Sequence, residues 1–415
     1  MTTPLDQLRT AFEERFGRPP TVVVRAPGRL NLIGEHTDYA HLPVLPIAIE
    51  RAVTLAAAPA DGDAVTVVSA AFEGEARLER IRLTNGTAPW HRYVAGALHQ
   101  LLDLAPARGA DVLVGGDLPS SGGLSSSSAF TTGLLAALAA AWGMPLDRED
   151  LVRRAIVAER HSGVESGGMD QAVIVFAQAG HALRIDFDPP ARRPVPIPAG
   201  LAFVAASSGE EAPKGGAVRD AYNERVVGAR LAAAMLADQV GLDIGAPPFL
   251  REVAGIDVVE LLVDDLPEKV SAKEVAHGVD VDVEHLVRFT ADRWDPVAKV
   301  PVRRVARHIL GEAARVDEAE AALLAGELEA FGELLDASHN SLRQDLRCST
   351  AALDRLCAAM RKAGAYGARL TGAGFGGFAL AAVRPERVAQ VIEAAEAATG
   401  GPAFEVHASA GLTQV

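Results

Sequence analysis

The sequence predicts an α+β protein of two lobes, with mixed sheets packed against helices. Three observations carry that expectation. β-branched and alternating apolar runs crowd into the first hundred residues. The second half is dominated by amphipathic helices and closes on a glycine-rich turn, a strand and a helix. Nowhere do strands and helices alternate in the regular βαβ order of a doubly wound sheet. At 415 residues, 49% apolar and 23% charged, the chain is long enough for one large or two ordinary domains around a substantial core.

In chain order, residues 6–16 have helical spacing, and Pro19-Pro20 breaks the helix before the β-branched run 21–24. Runs at 44–58, 64–69 and 76–83 read as strands, 90–104 as a helix, and 110–114 as a strand entering a Gly/Ser segment. The apolar stretch 129–142 continues from that segment as a helix. A helix follows at 149–161, then strands at 172–177 and 182–187, a turn at 212–216 and a long amphipathic helix at 220–238. Between 243 and 302 the periodicity weakens, and helical pieces at 272–279 and 283–289 alternate with Pro and Asp/Gly turns. That stretch carries no chemistry in its pattern. Helices at 302–324, 328–340 and 352–363 precede a strand at 378–383 and a helix at 386–397.

Composition excludes several classes of partner. With 54 acidic and 40 basic side chains the net charge is −14, which argues against a nucleic-acid or anionic-membrane surface. Asp6, Glu13 and Glu14 interrupt the first twenty residues, so they lack the pattern of a secretory signal. The longest apolar run, 129–142, is about 14 residues, short of the roughly 18–20 of a membrane span. Two cysteines, Cys348 and Cys357, suit neither a disulfide framework nor a four-ligand zinc site and fit a reducing cytoplasm.

Four segments concentrate polar chemistry. In Gly115-Gly116-Asp117-Leu118-Pro119-Ser120-Ser121-Gly122-Gly123-Leu124-Ser125-Ser126-Ser127-Ser128, glycines and serines stand before a helix N-terminus, where backbone N–H groups cradle anions. It is not a P-loop, because Gly-x-x-x-x-Gly-Lys-[Ser/Thr] is absent from the chain, and a linker or serine N-cap has the same composition. Leu370-Thr371-Gly372-Ala373-Gly374-Phe375-Gly376-Gly377 contains Gly-x-Gly-x-x-Gly, yet a strand follows where a dinucleotide fingerprint needs a helix. A tight turn, against a ligand or within a hairpin, is the better reading. Arg25-Ala26-Pro27-Gly28-Arg29-Leu30-Asn31-Leu32-Ile33-Gly34-Glu35-His36-Thr37-Asp38-Tyr39 places charged groups among apolar ones, which costs desolvation unless they pair with one another or bind a hydroxyl-rich ligand. Gly163-Val164-Glu165-Ser166-Gly167-Gly168-Met169-Asp170-Gln171 sets a carboxylate at the start of what reads as a buried strand, as a proton acceptor or a turn cap.

Together these segments resemble the galactokinase family of the GHMP kinase superfamily. Gly28 to Tyr39 with Val44-Leu45-Pro46 is similar to its sugar signature, Pro119 to Ala129 to its phosphate loop, and Thr371 to Gly377 to its C-terminal glycine motif. The resemblance implies a two-lobed fold with the active site in the cleft between lobes, at about 1–205 and 206–415. It implies Asp170 and Arg29 as the catalytic pair, the arginine lowering the carboxylate's proton affinity or stabilising the transferring phosphoryl group. Glu35, His36, Thr37, Asp38, Gly167 and Tyr222 match sugar-binding positions. Ser120, Ser121, Gly122, Gly123, Leu124, Ser125 and Ser126 match the ATP-binding loop, and Ser126 and Glu159 the Mg²⁺ ligands. Trp90 falls either near the adenine or in the core.

The implied function is a cytoplasmic, ATP- and Mg²⁺-dependent kinase acting on the C1 hydroxyl of D-galactose, with a small sugar and ATP as partners. Two departures bear on the substrate: Ala40-His41-Leu42-Pro43 replaces the usual Asn or small residue and glycine, and Glu165-Ser166-Gly167-Gly168-Met169-Asp170 is closer to plant galactokinases and animal N-acetylgalactosamine kinases. The same chemistry on N-acetylgalactosamine, with room made by the glycines beside Asp170, and a non-catalytic sugar and ATP sensor are the alternatives.

Overall fold

The structure is a computed structural model and describes residues 4–69, 75–79, 90–104, 108–120, 123–144, 146–163, 165–210, 216–243, 247–279, 282–288 and 294–415. Helix α1 (Pro4–Phe16) lays Phe12 on one face of a sheet, against Val23, Ala56, Ala58 and Leu113. That sheet is built on the long antiparallel pair β1 (Val22–Ile33) and β2 (Leu45–Ala60), joined by β3 (Ala64–Ser69) and β4 (Glu75–Glu79). After α2 (His91–His99), β5 (Gly109–Gly116) inserts antiparallel to β2 and parallel to β3. The far end of the expected strand at 76–83 lies outside the described residues. The expected helix at 90–104 is helical only over α2, its remainder being turns.

Helices α3 (Ser126–Ala141), α4 (Arg148–Arg160) and α5 (Met169–Phe176) cover the other face, burying Leu134, Leu138, Val152, Ala155 and Val173 with Val24, Leu55 and Val112 of the strands. Helix α5 corrects the reading of 172–177 as a strand. Gly168, at φ 107°, turns the chain into a helix, and Ala172 to Val175 are all buried. A short run that is apolar on every side has no period to separate a buried helix from a buried strand.

The hairpin β6 (His181–Phe187) and β7 (Pro190–Pro196) leads to β8 (Ala202–Ser207) and then α6 (Gly216–Gln239). The expected turn at 212–216 lies almost wholly outside the described residues. The weakly patterned stretch folds as α7 (Val259–Asp265), β9 (Lys269–Ser271), α8 (Ala272–Val279), α9 (Val283–Val287) and β10 (Lys299–Pro301), with Val263, Val275 and Leu286 buried against α6. Next come α10 (Arg303–Ala325), α11 (Leu328–Ser341) and α12 (Ala351–Lys362), then β11 (Gly367–Leu370), β12 (Phe378–Val383), α13 (Val388–Thr399) and β13 (Ala403–Val406). Strands β11, β12, β8 and β13 form a second sheet, antiparallel throughout. The last strand, β14 (Thr413–Gln414), returns to the first sheet beside β1, giving the order β14-β1-β2-β5-β3-β4.

The two sheets share a core. Leu30, Leu32 and Ile33 of β1 and Leu45, Ile47 and Ile49 of β2 pack on Phe203, Phe378, Leu380, Phe331 and Leu335 from the second sheet and α11. The first half of β1 therefore belongs to one lobe and its second half is buried against the other. Where α11 crosses β11 the backbones nearly touch: a Cβ on Gly332 would lie 2.2 Å from the Tyr366 carbonyl oxygen, and one on Gly367 would lie 1.9 Å from that of Gly332. Backbone cannot rotate aside as a side chain does, so we expect Gly332→Ala to destabilise the protein by about 1–3 kcal/mol. Thermal unfolding checks this, and an unchanged Tm would show that the contact relaxes without cost.

Candidate active site

Strand β1 carries the first member of the site. Its register against β2 shifts between Pro27 and Arg29, a bulge of the kind that re-aims side chains. The Arg29 backbone N–H donates to the Leu124 carbonyl at 3.1 Å, tying the strand to the Gly/Ser loop. Its guanidinium, almost wholly buried, donates from Nε to Asp170 Oδ1 at 2.7 Å and from Nη2 to Oδ2 at 3.2 Å, with Nη1 on the Gly123 carbonyl. Two parallel bonds fix both position and plane.

Asp170 stands in the first turn of α5, and its Oδ2 also accepts from the Ser125 and Ser128 hydroxyls. Ser125, at φ 59°, leads into α3, whose first residues, Ser126 to Ser128, line the same space. The Ser128 hydroxyl lies 2.9 and 2.8 Å from the two oxygens of Glu159, and Gln171 Nε2 donates to Glu159 as well. Burial, with the nearby charge of Asp170, pushes the Glu159 carboxyl up to about 7. The Ser126 hydroxyl donates to the Ser120 carbonyl at 2.9 Å. Ser121 and Gly122 lie outside the described residues.

The sugar-signature turn meets the C-terminal glycine motif. Glu35 Oε1 accepts the Gly372 N–H at 2.7 Å and the Thr371 hydroxyl at 3.3 Å, and burial pushes the Glu35 carboxyl up. The His36 ring is held at about 3 by burial and by His308, so it is neutral at ordinary pH. Nε2 faces the Ala373 carbonyl and must donate to it, which leaves Nδ1 to accept from the Tyr39 hydroxyl, both at 3.1 Å. Both nitrogens are thus engaged by protein, and His36 meets Tyr39 and Tyr222 as one side of a cluster with ring centroids 5.3–5.7 Å apart. Asp38 Oδ2 accepts the Gly167 N–H at 3.1 Å, and burial together with Asp170 moves its carboxyl up to about 6.

Arg29, Glu35, His36, Asp38, Gly123, Ser125, Ser126, Glu159, Asp170 and Tyr222 line one cavity of about 290 Å³, together with Tyr93, Ser128 and Arg219. Leu124 is buried beneath the loop, and Ser120 is anchored to it through Ser126. Thr37 is fully buried and turns its hydroxyl to the Gly34 and Pro43 carbonyls, bracing the loop from within. At the two glycines before Met169 and Asp170 the place of a side chain is already taken by protein. A Cβ on Gly167 would lie 2.2 Å from the Asp38 carbonyl carbon, and one on Gly168 2.7 Å from Ile156. Trp90 packs in the first core and only Tyr93, one turn on, reaches the cavity. A larger cleft of about 780 Å³, between His41–Pro43, Phe187–Pro189 and Ile256–Glu260, contains none of the expected catalytic or phosphate-loop residues.

Among the described residues no three of His, Cys, Asp and Glu converge as a metal-holding group, and no helix is long and apolar enough to cross a membrane. Sequence reasoning passed over Ser128 within its serine run, and over Arg369, Glu312 and His308. The last two do leave a signal: at helical spacing they share the buried stripe of α10 with Val305, Ile309, Val316 and Leu323.

Three family descriptions match the chain: Galactokinase galactose-binding signature over residues 10–59, GHMP kinases N terminal domain over 92–178, and GHMP kinases C terminal over 319–400. The chain is 37% identical to a galactokinase of Chloroflexus aggregans over 396 residues, covering 94% of this chain and 91% of that protein. Among solved structures, galactokinase of Lactococcus lactis in complex with galactose superimposes with a TM-score of 0.78 at 29% identity, all of both chains being covered. A Methanococcus jannaschii mevalonate kinase shares the fold at 17% identity, with a TM-score of 0.58 over 93% of this chain and 98% of that one.

Because the folded Glu159 carboxyl holds its proton up to about 7 and a free one only to about 4.5, raising the pH through that window favours the unfolded chain at this group. We expect the ligand-free Glu159→Gln variant to match the native Tm near pH 4.5 and to exceed it increasingly toward pH 7.5. A gap independent of pH would show that Glu159 carries no such strain.

Proposed function

The chain belongs to the galactokinase family, and on that footing we propose that it transfers the γ-phosphoryl group of ATP to the C1 hydroxyl of D-galactose, giving galactose 1-phosphate and ADP. The observation that carries this reading is the bidentate Arg29–Asp170 pair, set where the Gly/Ser loop meets the sugar-signature turn. Asp170 takes the proton of the C1 hydroxyl as that oxygen bonds to phosphorus and the bond to the ADP oxygen breaks. Arg29, immobilised by Asp170 and the Gly123 carbonyl, and the N–H groups at the start of α3 supply fixed positive charge beside the transferring group. Glu35 and Asp38 accept sugar hydroxyls, His36 and Tyr222 form an aromatic wall, and Thr37 and Gly167 hold the turn in place.

Residues Gly123 to Ser126, with Ser120, Ser121 and Gly122, are assigned to the ATP phosphates. Ser126 and Glu159 are oxygen donors of the kind Mg²⁺ takes, and the crowding of Glu159 against Asp170 supports a cation there. Bound with ATP, Mg²⁺ would neutralise charge on the β- and γ-phosphates. The lobes divide just before β8, with β14 returning to the first lobe and the catalytic cleft between the two, and the buried free thiols of Cys348 and Cys357 suit a reducing cytoplasm. The packing of Gly167 and Gly168 against Asp38 and Ile156 removes those two positions as a source of room for an acetamido group.

ADP release with Mg-ATP, measured over D-galactose, N-acetylgalactosamine, glucose, arabinose and galacturonate, tests the reading: galactose should dominate. Dominance of another sugar would overturn the substrate, and silence on all five with ATP still bound would make the protein a sensor. Asp170→Asn should lower kcat by about 10²–10⁴-fold while ATP affinity, by calorimetry, stays near native. Near-native turnover would remove Asp170 from the chemistry.

A further inference from the structure

Behind the sugar-signature turn lies a buried charge cluster that the reaction does not touch. Glu312, on α10, and Arg369, on β11, have no exposed surface. Glu312 Oε1 accepts the Gly34 N–H at 3.0 Å, the Glu35 N–H at 3.3 Å and the Ser338 hydroxyl at 2.6 Å, while Oε2 accepts Arg315 Nε at 2.8 Å. The Arg369 guanidinium lies 3.6 Å from Glu35 Oε1 and 3.9 Å from Glu312 Oε1, and donates to the Leu32 carbonyl at 2.8 Å. His308, one turn before Glu312, donates from Nε2 to the Glu35 carbonyl at 3.1 Å. The backbone of Glu35 is therefore gripped on its N–H by Glu312 and on its C=O by His308, and Arg369 bridges the two carboxylates.

We propose that Glu312 is a positioning residue for sugar recognition. From the second lobe it fixes the backbone of the Gly34–Glu35 turn, and through Arg369 it sets where the Glu35 carboxylate stands in the cavity. The inference rests on the reading of Glu35 as a sugar ligand. Burial raises the free energy of an ionised Glu312, yet Arg369, His308 and Arg315 with the Ser338 hydroxyl outweigh it and hold the carboxyl at about 2. The charge is thus permanent across the working pH range, as a fixed anchor requires. A single acceptor atom serving two successive N–H groups is not readily replaced by solvent, since Glu312 has no exposed surface and Gly34 and Glu35 are buried.

Initial rates with galactose varied at saturating ATP, and the reverse, separate the possibilities for the native enzyme, Glu35→Ala, Glu312→Gln and Glu312→Asp. Glu312→Gln keeps an acceptor and loses the charge facing Arg369; it should raise KM for galactose about tenfold and leave KM for ATP within about twofold. Glu312→Asp keeps the charge and should recover part of the loss, and it replaces the Gln variant as the decisive protein if that one does not fold by circular dichroism. An unchanged galactose KM in the folded variant, or a parallel rise of both KM values, overturns the proposal. If Glu35→Ala raises galactose KM while the Glu312 variants do not, only the positioning role falls. If Glu35→Ala leaves that KM unchanged, the reading of Glu35 falls and the positioning role with it.

Discussion

A guanidinium cut off from water must find its counter-charges inside the protein, and at Arg369 that requirement joins the lobes. Its partners come from three places: Glu312 from a helix of the second lobe, Glu35 from the turn after β1, and the Leu32 carbonyl from β1 itself. Removing any one of these partners while the packing stays closed would leave a charge uncompensated in apolar surroundings, at a cost well above that of breaking the same contacts in water. The apolar packing of Leu30, Ile47, Phe203 and Phe378 around this cluster keeps water out, and so makes the charges hold as firmly as they do.

The cavity is built on the opposite principle. Glu35, Asp38, Glu159 and Asp170 crowd negative charge into it, with Arg29 already committed to Asp170. Three of these carboxyls, Glu35, Asp38 and Glu159, are pushed up, chiefly by burial and, at Asp38 and Glu159, also by the charge of Asp170. Such crowding is costly in the empty protein and suits a ligand that brings hydroxyl protons and a cation with it. The backbone approach of Gly123 to Gly372, where a Cβ on either would lie about 3 Å from the other strand of chain, closes the space between the two lobes' glycine loops without using a side chain.

Much of this was legible in the sequence, for reasons that differ by element. The helices α6, α10 and α12 announce themselves through long amphipathic stripes, and β12 through a bounded apolar run after glycines. Arg29, Glu35, Asp38 and Asp170 stand out as charges in apolar company, and they do converge. Helix α5 shows no helical period because its apolar residues Met169 and Ala172 to Val175 are buried all round, and Pro190, Pro194 and Pro196 hide the edge strand β7. Arg369 and Glu312 required knowledge of which distant elements meet: nothing local to residue 312 says that its carboxylate caps the N–H groups of residues 34 and 35.

The pairing of β14 with β1 bears on how the molecule comes to exist on a ribosome. Val24 and Arg25 pair with Gln414 and Thr413, so one edge of the first sheet waits unpaired while nearly four hundred intervening residues are translated, about twenty seconds to more than a minute at ordinary rates. Over that interval β1 presents open hydrogen-bonding groups beside Val22 and Val24 to any neighbouring chain. Synthesis on crowded polysomes therefore leaves Val24 and Arg25 open to mispairing, and Thr413–Gln414 is the segment that closes that part of the edge.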